Sequence, residues 1–184
     1  WLQPRRLIIH ADYAPPIPPS EIGADVQWME TRDASRLSID HAGAAAEGEW
    51  VVLLEAGTRI EPFAFIELLS TAGSHPEAQL VYAASDITLE DGRHLPQFTG
   101  GINIEWLKGT NYLGGVVAAR RSAWQQLPDC DRFVGAYRLA LRNSRSTGIR
   151  AVHYVDKVLS HSATGAAADQ ESQEFSAALE EVRS

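Results

Sequence analysis

Short apolar runs, each followed by polar or turn-forming residues, divide the sequence into predicted strands. Five consecutive apolar residues lie between Glu49 and Glu55, and another apolar run ends at Asp86. Uninterrupted runs of this length are typical of strands that are covered on both faces, as in a parallel sheet. The segments predicted as strands are LIIHA (7–11), DVQWMET (25–31), WVVLL (50–54), AQLVYAAS (78–85), the strand within NYLGGVVAARR (111–121) and IRAVHYVDKVLSH (149–161).

Helical periodicity occurs between these strands. From Pro62 onwards, Phe65, Leu68 and Leu69 recur at helical spacing, and the proline suits the first turn of a helix. Four prolines between Ala14 and Ser20 exclude a helix or a central strand there. Further helices are predicted over 33–48, after the strand that ends near 120, over 137–148, and at the C-terminus over 165–184. Alternating strands and helices predict an α/β sheet with helices on both faces.

The composition narrows the class of protein. The chain has 184 residues, a hydrophobic content of 45% and a formal net charge of −8, without a long run of Lys or Arg. It therefore suits one globular domain and is a poor match for a nucleic-acid-binding protein. Cys130 is the single cysteine, which excludes an internal disulfide and fits a reducing compartment. No apolar run has the ~18 residues that a membrane helix needs.

Acidic residues close three of the predicted strands. Asp12, Glu55 and Asp86 each follow an apolar run. In open α/β sheets, ligands bind outside the carboxyl ends of the strands, so parallel strands would bring these carboxylates to one edge. Alternatively, the strand ends are polar only because the chain reaches the surface there.

Five segments in order carry a resemblance to a known family. The chain resembles the family 2 glycosyltransferases from about Ile39 to Ser162, and more weakly towards its start. Each segment is a weak signal alone, whereas the set with matching order and spacing is specific. The segments are DHAGAAAEGEWVVLLEAGTRIEP, LVYAASDITLEDGRHLP, GINIEWLKGTNYLGGVVAARR, AYRLALR and YVDKVLSH.

The resemblance implies the GT-A fold, a three-layer α/β/α arrangement with a mostly parallel central sheet. We expect a single domain over 1–184, with a divergent N-terminal part (1–48) and the C-terminal helix (165–184). LIIHADYAPP fits the family's second strand better than its first. The first strand then lies outside this chain or is absent, and the start at Trp1 suggests a piece of a longer protein that could contain partner domains.

The resemblance also implies a set of site residues. In the family, a D-x-D motif holds Mg²⁺ or Mn²⁺ on the diphosphate of a nucleotide-sugar, and a histidine near the end of the fold can assist. The corresponding metal ligands here are Glu55 and His161. The expected donor contacts are Asp12, Glu55, Asp86 and His161, and the expected acceptor contacts are Trp106, Asn111 and Tyr112. For Trp106 and Tyr112, packing within the domain is the alternative role, and Asp86 could instead be only a turn residue.

The acidic motifs are degenerate compared with those of the family. Gly57 replaces the second acid of D-x-D, and Ala84 replaces the first acid of the next motif. Ala136 and Arg138 stand where inverting members carry the aspartate expected to act as the base, and neither side chain can accept a proton. Only Asp129 or Asp131 could replace it. The histidines other than His161 show no metal-binding spacing and are predicted to be structural or solvated: His10, His41, His75, His94 and His153.

Two functions remain open from the sequence. The first is transfer of a sugar from a UDP- or GDP-sugar to a glycan or lipid-linked acceptor in polysaccharide synthesis, with a divalent cation and a cytoplasmic location. The second is a catalytically inactive glycosyltransferase-like scaffold or binding module within a larger protein. The catalytic residue is not identified by the sequence.

Overall fold

The computed structural model describes residues 7–11, 26–30, 46–54, 58–125, 137, 140, 142 and 148–163. Its helices are α1 (Ala64–Ser74), α2 (Ile104–Leu107) and α3 (Arg121–Trp124), and a 3-10 turn spans Ile149–Ala151. Its strands are β1 (Leu7–Ala11), β2 (Val26–Glu30), β3 (Trp50–Leu54), β4 (Arg59–Ile60), β5 (Leu80–Thr88), β6 (His94–Gln97), β7 (Val116–Arg120) and β8 (Val152–Ala163).

The strands predicted from the apolar runs are confirmed, and so is the helix after Pro62. The sequence analysis treated LEDGRHLP only as a turn and so missed β6, which pairs with the end of β5. The helices predicted over 33–48 and 165–184 lie outside the described residues. Of the helix predicted over 137–148, residues 137, 140 and 142 are described and are helical.

The described strands form two sheets. β1 and β2 pair in parallel as a two-stranded sheet. The larger sheet has the order β3-β7-β5-β8-β4, and β6 pairs with β5. In that sheet β5 and β8 pair in parallel, whereas β3–β7, β5–β7, β4–β8 and β5–β6 are antiparallel pairs.

The prediction of a mostly parallel central sheet is therefore not confirmed, because the described part of this sheet is mixed. The apolar runs indicate strands that are buried on both faces of the sheet. Burial is the same for either strand direction, so the runs do not distinguish parallel from antiparallel pairing. The strand β7 runs antiparallel between β3 and β5, yet Val116, Val117, Ala118 and Ala119 are all buried.

Both faces of this sheet are covered by apolar side chains. Alternate residues of β5 point to opposite faces, as the twofold period of a strand requires. Leu80 and Tyr82 join a cluster with Leu107 of α2 and with Tyr137, whereas Val81 and Ala83 pack with α1. Three residues of α1 that are spaced four apart face this second cluster: Ala64, Leu68 and Ala72. Among the described residues, no helix is long and apolar enough to cross a membrane.

An irregularity in β8 sets which residues meet at the end of the sheet. Ala83 pairs with Val155, and Ser85 pairs with Ser160, so β8 advances five residues where β5 advances two. In regular pairing, Val158 would lie opposite Asp86. The three extra residues place His161 there instead. An odd number of extra residues also exchanges the faces to which later side chains point.

Candidate functional site

The parallel pair β5–β8 brings two of the predicted site residues together. Asp86 and His161 are partners in the register of the two strands, near the carboxyl end of each. Their side chains are in contact, with 2.8 Å between Asp86 Oδ1 and His161 Nδ1. The structure thus places these two predicted donor contacts side by side, at the edge of the sheet where ligands bind in α/β proteins.

Asp86 is a buried carboxylate with a partner on each oxygen. The residue is 5% exposed. His161 lies at Oδ1, and His94 Nδ1 lies 3.1 Å from Oδ2. An ionised carboxylate only accepts hydrogen bonds, so with Asp86 ionised these two contacts are hydrogen bonds in the tautomers that carry a proton on the facing ring nitrogen. Because a buried charge is costly unless it is paired and hydrogen-bonded, this arrangement accounts for an acid inside the sheet.

Glu61 contacts the other nitrogen of His161. The distance from His161 Nε2 to Glu61 Oε1 is 3.0 Å. Glu61 directly follows β4, and its backbone N–H donates to the Leu159 carbonyl oxygen at 3.0 Å, which fixes it beside β8. Hydrogen bonds to both carboxylates require the doubly protonated ring, whereas a neutral ring can donate to only one of them. The sequence analysis did not identify Glu61.

A hairpin delivers His94 to the same place. The turn between β5 and β6 is closed by Leu89 N–H donating to the Arg93 carbonyl oxygen, and Gly92 adopts a φ of 81°. Thr88 pairs with His94 and Asp86 with Pro96. The prediction that His94 is only structural or solvated missed its contact with Asp86. The dipeptide Asp91-Gly92 was the available signal, because it favours a hairpin that folds the following residues back onto β5.

The side chains of this group suit a divalent cation. One ligand atom from each of Asp86, His94 and His161 lies within 4.8 Å of the others. Carboxylate oxygen and imidazole nitrogen are common ligands of divalent first-row metals. His161, one of the predicted metal ligands, belongs to this group, and its role as a ligand stays a prediction. Glu55, the other predicted ligand, lies outside the described residues.

Two glycines at the start of β7 allow close packing at this edge. Gly114 has a φ of 78°, and a β-carbon there would lie 3.1 Å from the Ala83 carbonyl oxygen. A β-carbon on Gly115 would lie 2.9 Å from Thr58 Oγ1. Thr58 therefore packs directly on the backbone at the edge of the sheet. Leu54 pairs with Val116 at the same end of β7.

The predicted acceptor residues form a separate aromatic contact. The rings of Trp106 and Tyr112 are stacked with 4.7 Å between centroids, and Trp106 is 49% exposed. Tyr112 is buried, and its hydroxyl accepts from Asn103 N–H at 2.7 Å and donates to the Asn103 carbonyl oxygen. Burial raises the pKa of Tyr112. These contacts favour a packing role for Tyr112. Asn111 is exposed, and its Oδ1 is 3.4 Å from the Leu113 N–H.

Several residues singled out in the sequence lie outside the described parts of the chain. They are Asp12, Glu55, Gly57, Asp129, Cys130, Asp131, Ala136 and Arg138. Ala84 is described and is fully buried in β5. The structure thus brings together Asp86 and His161 from the predicted set and adds His94 and Glu61 to them.

The sequence matches no protein-family model and no curated protein. Its fold is similar to that of glucosyl-3-phosphoglycerate synthase from Mycobacterium tuberculosis. The complex of that synthase with Mn²⁺, UDP-glucose and phosphoglyceric acid gives a TM-score of 0.69 at 17% identity, over 96% of this chain and 67% of that one. The complex with Mg²⁺ and UDP gives 0.64 at 18% identity, over 89% and 62%.

A second similar structure is mannosyl-3-phosphoglycerate synthase from Rubrobacter xylanophilus, with a TM-score of 0.58 at 16% identity, over 89% of this chain and 56% of that one. The chain thus spans 56–67% of the length of these synthases. The two structures of the glucosyl-3-phosphoglycerate synthase contain Mn²⁺ with UDP-glucose and Mg²⁺ with UDP, respectively. At these identities the likeness establishes the fold alone, and the chain has an α/β fold of the GT-A type.

Proposed function

We propose that this domain binds a nucleotide-sugar through a divalent cation at the end of β5 and β8, as the donor-binding part of a glycosyltransferase. The observation that carries the proposal is the contact between Asp86 and His161 at the carboxyl ends of two parallel strands. It is supported by similar folds that have been solved with Mn²⁺ and UDP-glucose.

The residues at this site would have different roles in binding the donor. His161 and Asp86 would hold the cation, each with one ligand atom. A bound cation would neutralise charge on the diphosphate of the donor. Glu55 and Asp12 complete the proposed donor contacts, and Trp106, with one face stacked on Tyr112, is the proposed sugar-stacking residue. Asn111, which is exposed, and Tyr112, whose hydroxyl bonds to Asn103, stay in the proposed acceptor region.

The proposal includes the finer features that the sequence suggested. They are a three-layer arrangement in which the helix around Tyr137 and Ala140 covers the second face, a cytoplasmic location, and further domains in a longer protein. The donor is a UDP- or GDP-sugar. The acceptor class is a glycan or lipid-linked sugar, and phosphoglycerate enters as a candidate because the similar synthases were solved with phosphoglyceric acid.

Titration calorimetry with UDP-glucose and GDP-mannose, each with and without Mn²⁺, tests donor binding. We expect cation-dependent binding of one donor, and we expect His161→Asn to weaken it ~10–100-fold, because an imidazole ligand of the cation is lost. Asp91→Asn is the matched control, since Asp91 lies on the exposed β5–β6 turn and pairs with Arg93. Failure of both donors to bind at millimolar concentration would overturn the proposal.

The alternative is an inactive scaffold, and it is favoured by the substituted acids. Ala84, in the position of a family acid, is fully buried and presents no polar group. A transfer assay with phosphoglycerate and with glycan acceptors separates the two functions. Turnover that Glu55→Ala abolishes would exclude the scaffold, whereas donor binding without turnover would support a binding module.

A further inference from the structure

The contacts of Asp86 and His161 include two side chains that the resemblance to the family did not assign, His94 beside Asp86 and Glu61 beside His161. His94 Nδ1 lies 3.1 Å from Asp86 Oδ2, and Glu61 Oε1 lies 3.0 Å from His161 Nε2. Together with Asp86 and His161 they form a continuous chain of two carboxylates and two imidazoles. We refer to these four residues as the His–carboxylate cluster.

Separate elements hold each member of the His–carboxylate cluster. Asp86 comes from β5, His161 from β8, His94 from β6, and Glu61 from the residue after β4. Asp86 and His161 are fixed by parallel pairing, and the hairpin pairs Thr88 with His94. Four elements converge here, so the cluster is built by the fold and does not depend on one flexible loop.

The distances among three members of the cluster, Asp86, His94 and His161, suit ligands of one cation. Metal–nitrogen and metal–oxygen bonds are about 2.0–2.2 Å long, so neighbouring ligand atoms lie roughly 3 Å apart and opposite ones about 4.2 Å apart. The Asp86, His94 and His161 ligand atoms lie within 4.8 Å of one another. The widest separation must shorten by about 0.6 Å for an opposite pair of an octahedral site, and by about 1.4 Å for a tetrahedral site, where ligand atoms are about 3.4 Å apart. His94 can supply that movement because its side chain is 49% exposed at the hairpin.

The donor atoms determine which cation fits. Mg²⁺ prefers six oxygen ligands and keeps several waters, whereas imidazole suits Mn²⁺, Co²⁺ and Zn²⁺. With neutral imidazoles and ionised carboxylates, Asp86 and Glu61 supply two negative charges, which balance one divalent cation. The second imidazole, from His94, therefore shifts the preference away from magnesium.

We propose that His94 completes a cation site with Asp86 and His161, that Glu61 positions the His161 ring through its Nε2–H, and that this site selects transition-metal cations that accept nitrogen ligands over Mg²⁺. The inference deepens the proposed function, because it names a further ligand, a positioning residue and the metal class at the same edge of the sheet. It also assigns a role to the β5–β6 hairpin, which brings His94 to a carboxylate that β5 already presents.

Calorimetric titration of the whole chain with Zn²⁺, Co²⁺, Mn²⁺ and Mg²⁺, each without nucleotide, tests the inference. We expect Zn²⁺ and Co²⁺ to bind at least about tenfold more tightly than Mg²⁺. We expect His94→Gln to weaken Zn²⁺ and Co²⁺ ~10–100-fold and to leave Mg²⁺ nearly unchanged, because only a nitrogen ligand is lost. The visible spectrum of bound Co²⁺ gives a second readout, and it should change in His94→Gln and in Glu61→Gln.

His75→Gln is the matched control. His75 bonds through Nδ1 to the Thr71 carbonyl oxygen and packs on His153, and neither contact involves the cluster. Wild-type Zn²⁺ affinity in His94→Gln would overturn the inference, and so would Mg²⁺ binding as tight as Zn²⁺. An equal loss in His75→Gln would do the same, because it would place the zinc elsewhere.

The metal titration and the donor titration can fail independently. Zinc binding that depends on His94, without binding of any nucleotide-sugar, would keep the cation site and reject the donor-binding proposal. Donor binding with Mn²⁺ that is indifferent to His94→Gln and Glu61→Gln would keep the proposed function and reject this inference.

Discussion

At the edge of the sheet, close contacts between atoms restrict the size of individual side chains. Thr58 packs against the backbone of Gly115, where a β-carbon would meet Thr58 Oγ1 at 2.9 Å and Cγ2 at 3.0 Å. Real β-carbon contacts are essentially never so short, so one of the two residues must remain small. The need for glycine at position 115 thus follows from a neighbour that is distant in sequence, and not from backbone conformation.

We predict that Gly115→Ala lowers the free energy of unfolding by about 1–3 kcal/mol through overpacking. The double variant Gly115→Ala/Thr58→Ala should recover part of that loss, because the clashing atoms are removed. Urea unfolding of the two single variants and the double variant measures the coupling. Gly101→Ala is the control, since a β-carbon there meets nothing within 4 Å. A Gly115→Ala variant as stable as the wild type would contradict the packing at this edge.

At the scale of elements, the helix α1 is an element that the local sequence pattern predicts. Its buried residues Ala64, Leu68 and Ala72 lie four apart, and Ile66 points away with 43% exposure. Their spacing alone predicts a helix with one apolar face. The strand β8 differs from α1, because its irregularity between Val155 and Ser160 is seen only in its pairing with β5. The sequence of β8 carries no periodic pattern that predicts this irregularity.

Leu68→Ala should therefore lower the free energy of unfolding by about 2–5 kcal/mol, because it opens a cavity beneath a fully buried side chain. Ile66→Ala, on the exposed side of the same helix, should cost less than ~1 kcal/mol. Chemical unfolding monitored by circular dichroism measures the free energy of unfolding of both variants. Alanine is the new residue in each, so its helix propensity is the same in both. Similar losses for both variants would mean that α1 does not pack on the sheet through Leu68.

At the scale of the whole molecule, buried tyrosines link stability to alkaline pH. Burial raises the pKa of Tyr82, Tyr112, Tyr137 and Tyr154, in the case of Tyr137 to about 12. Tyr137 Oη donates to the Leu107 carbonyl oxygen at 2.7 Å in the core. The sequence contains two lysines, Lys108 and Lys157, so few other side chains change charge in the same range.

The sign of the linkage follows from the raised pKa values. Above the unfolded pKa of about 10, the unfolded chain loses tyrosine protons that the folded chain retains, so the free energy of unfolding falls as pH rises towards 12. Below pH ~10 this contribution is fully present. We expect urea midpoints to decrease over this window and Tyr137→Phe to decrease less steeply. A pH-independent midpoint would contradict the burial of these phenols.

The sequence alone determined the element pattern and the family-like order of its motifs, because burial on one or both faces leaves a period that can be read locally. It also singled out Asp86, which follows an apolar run, and His161, which matches a histidine of the family that the chain resembles. It could not give strand direction, because β7 is as apolar as its neighbours whichever way it runs.

Only the tertiary structure decided which side chains meet. His94 reaches Asp86 through a hairpin, and His161 reaches Asp86 because β8 takes three extra residues. Glu61 meets His161 across 100 positions of sequence. Such contacts depend on the register between strands that are distant in the chain, and a single residue of register change reverses the face of every side chain. The composition of the His–carboxylate cluster is therefore a property of the folded sheet.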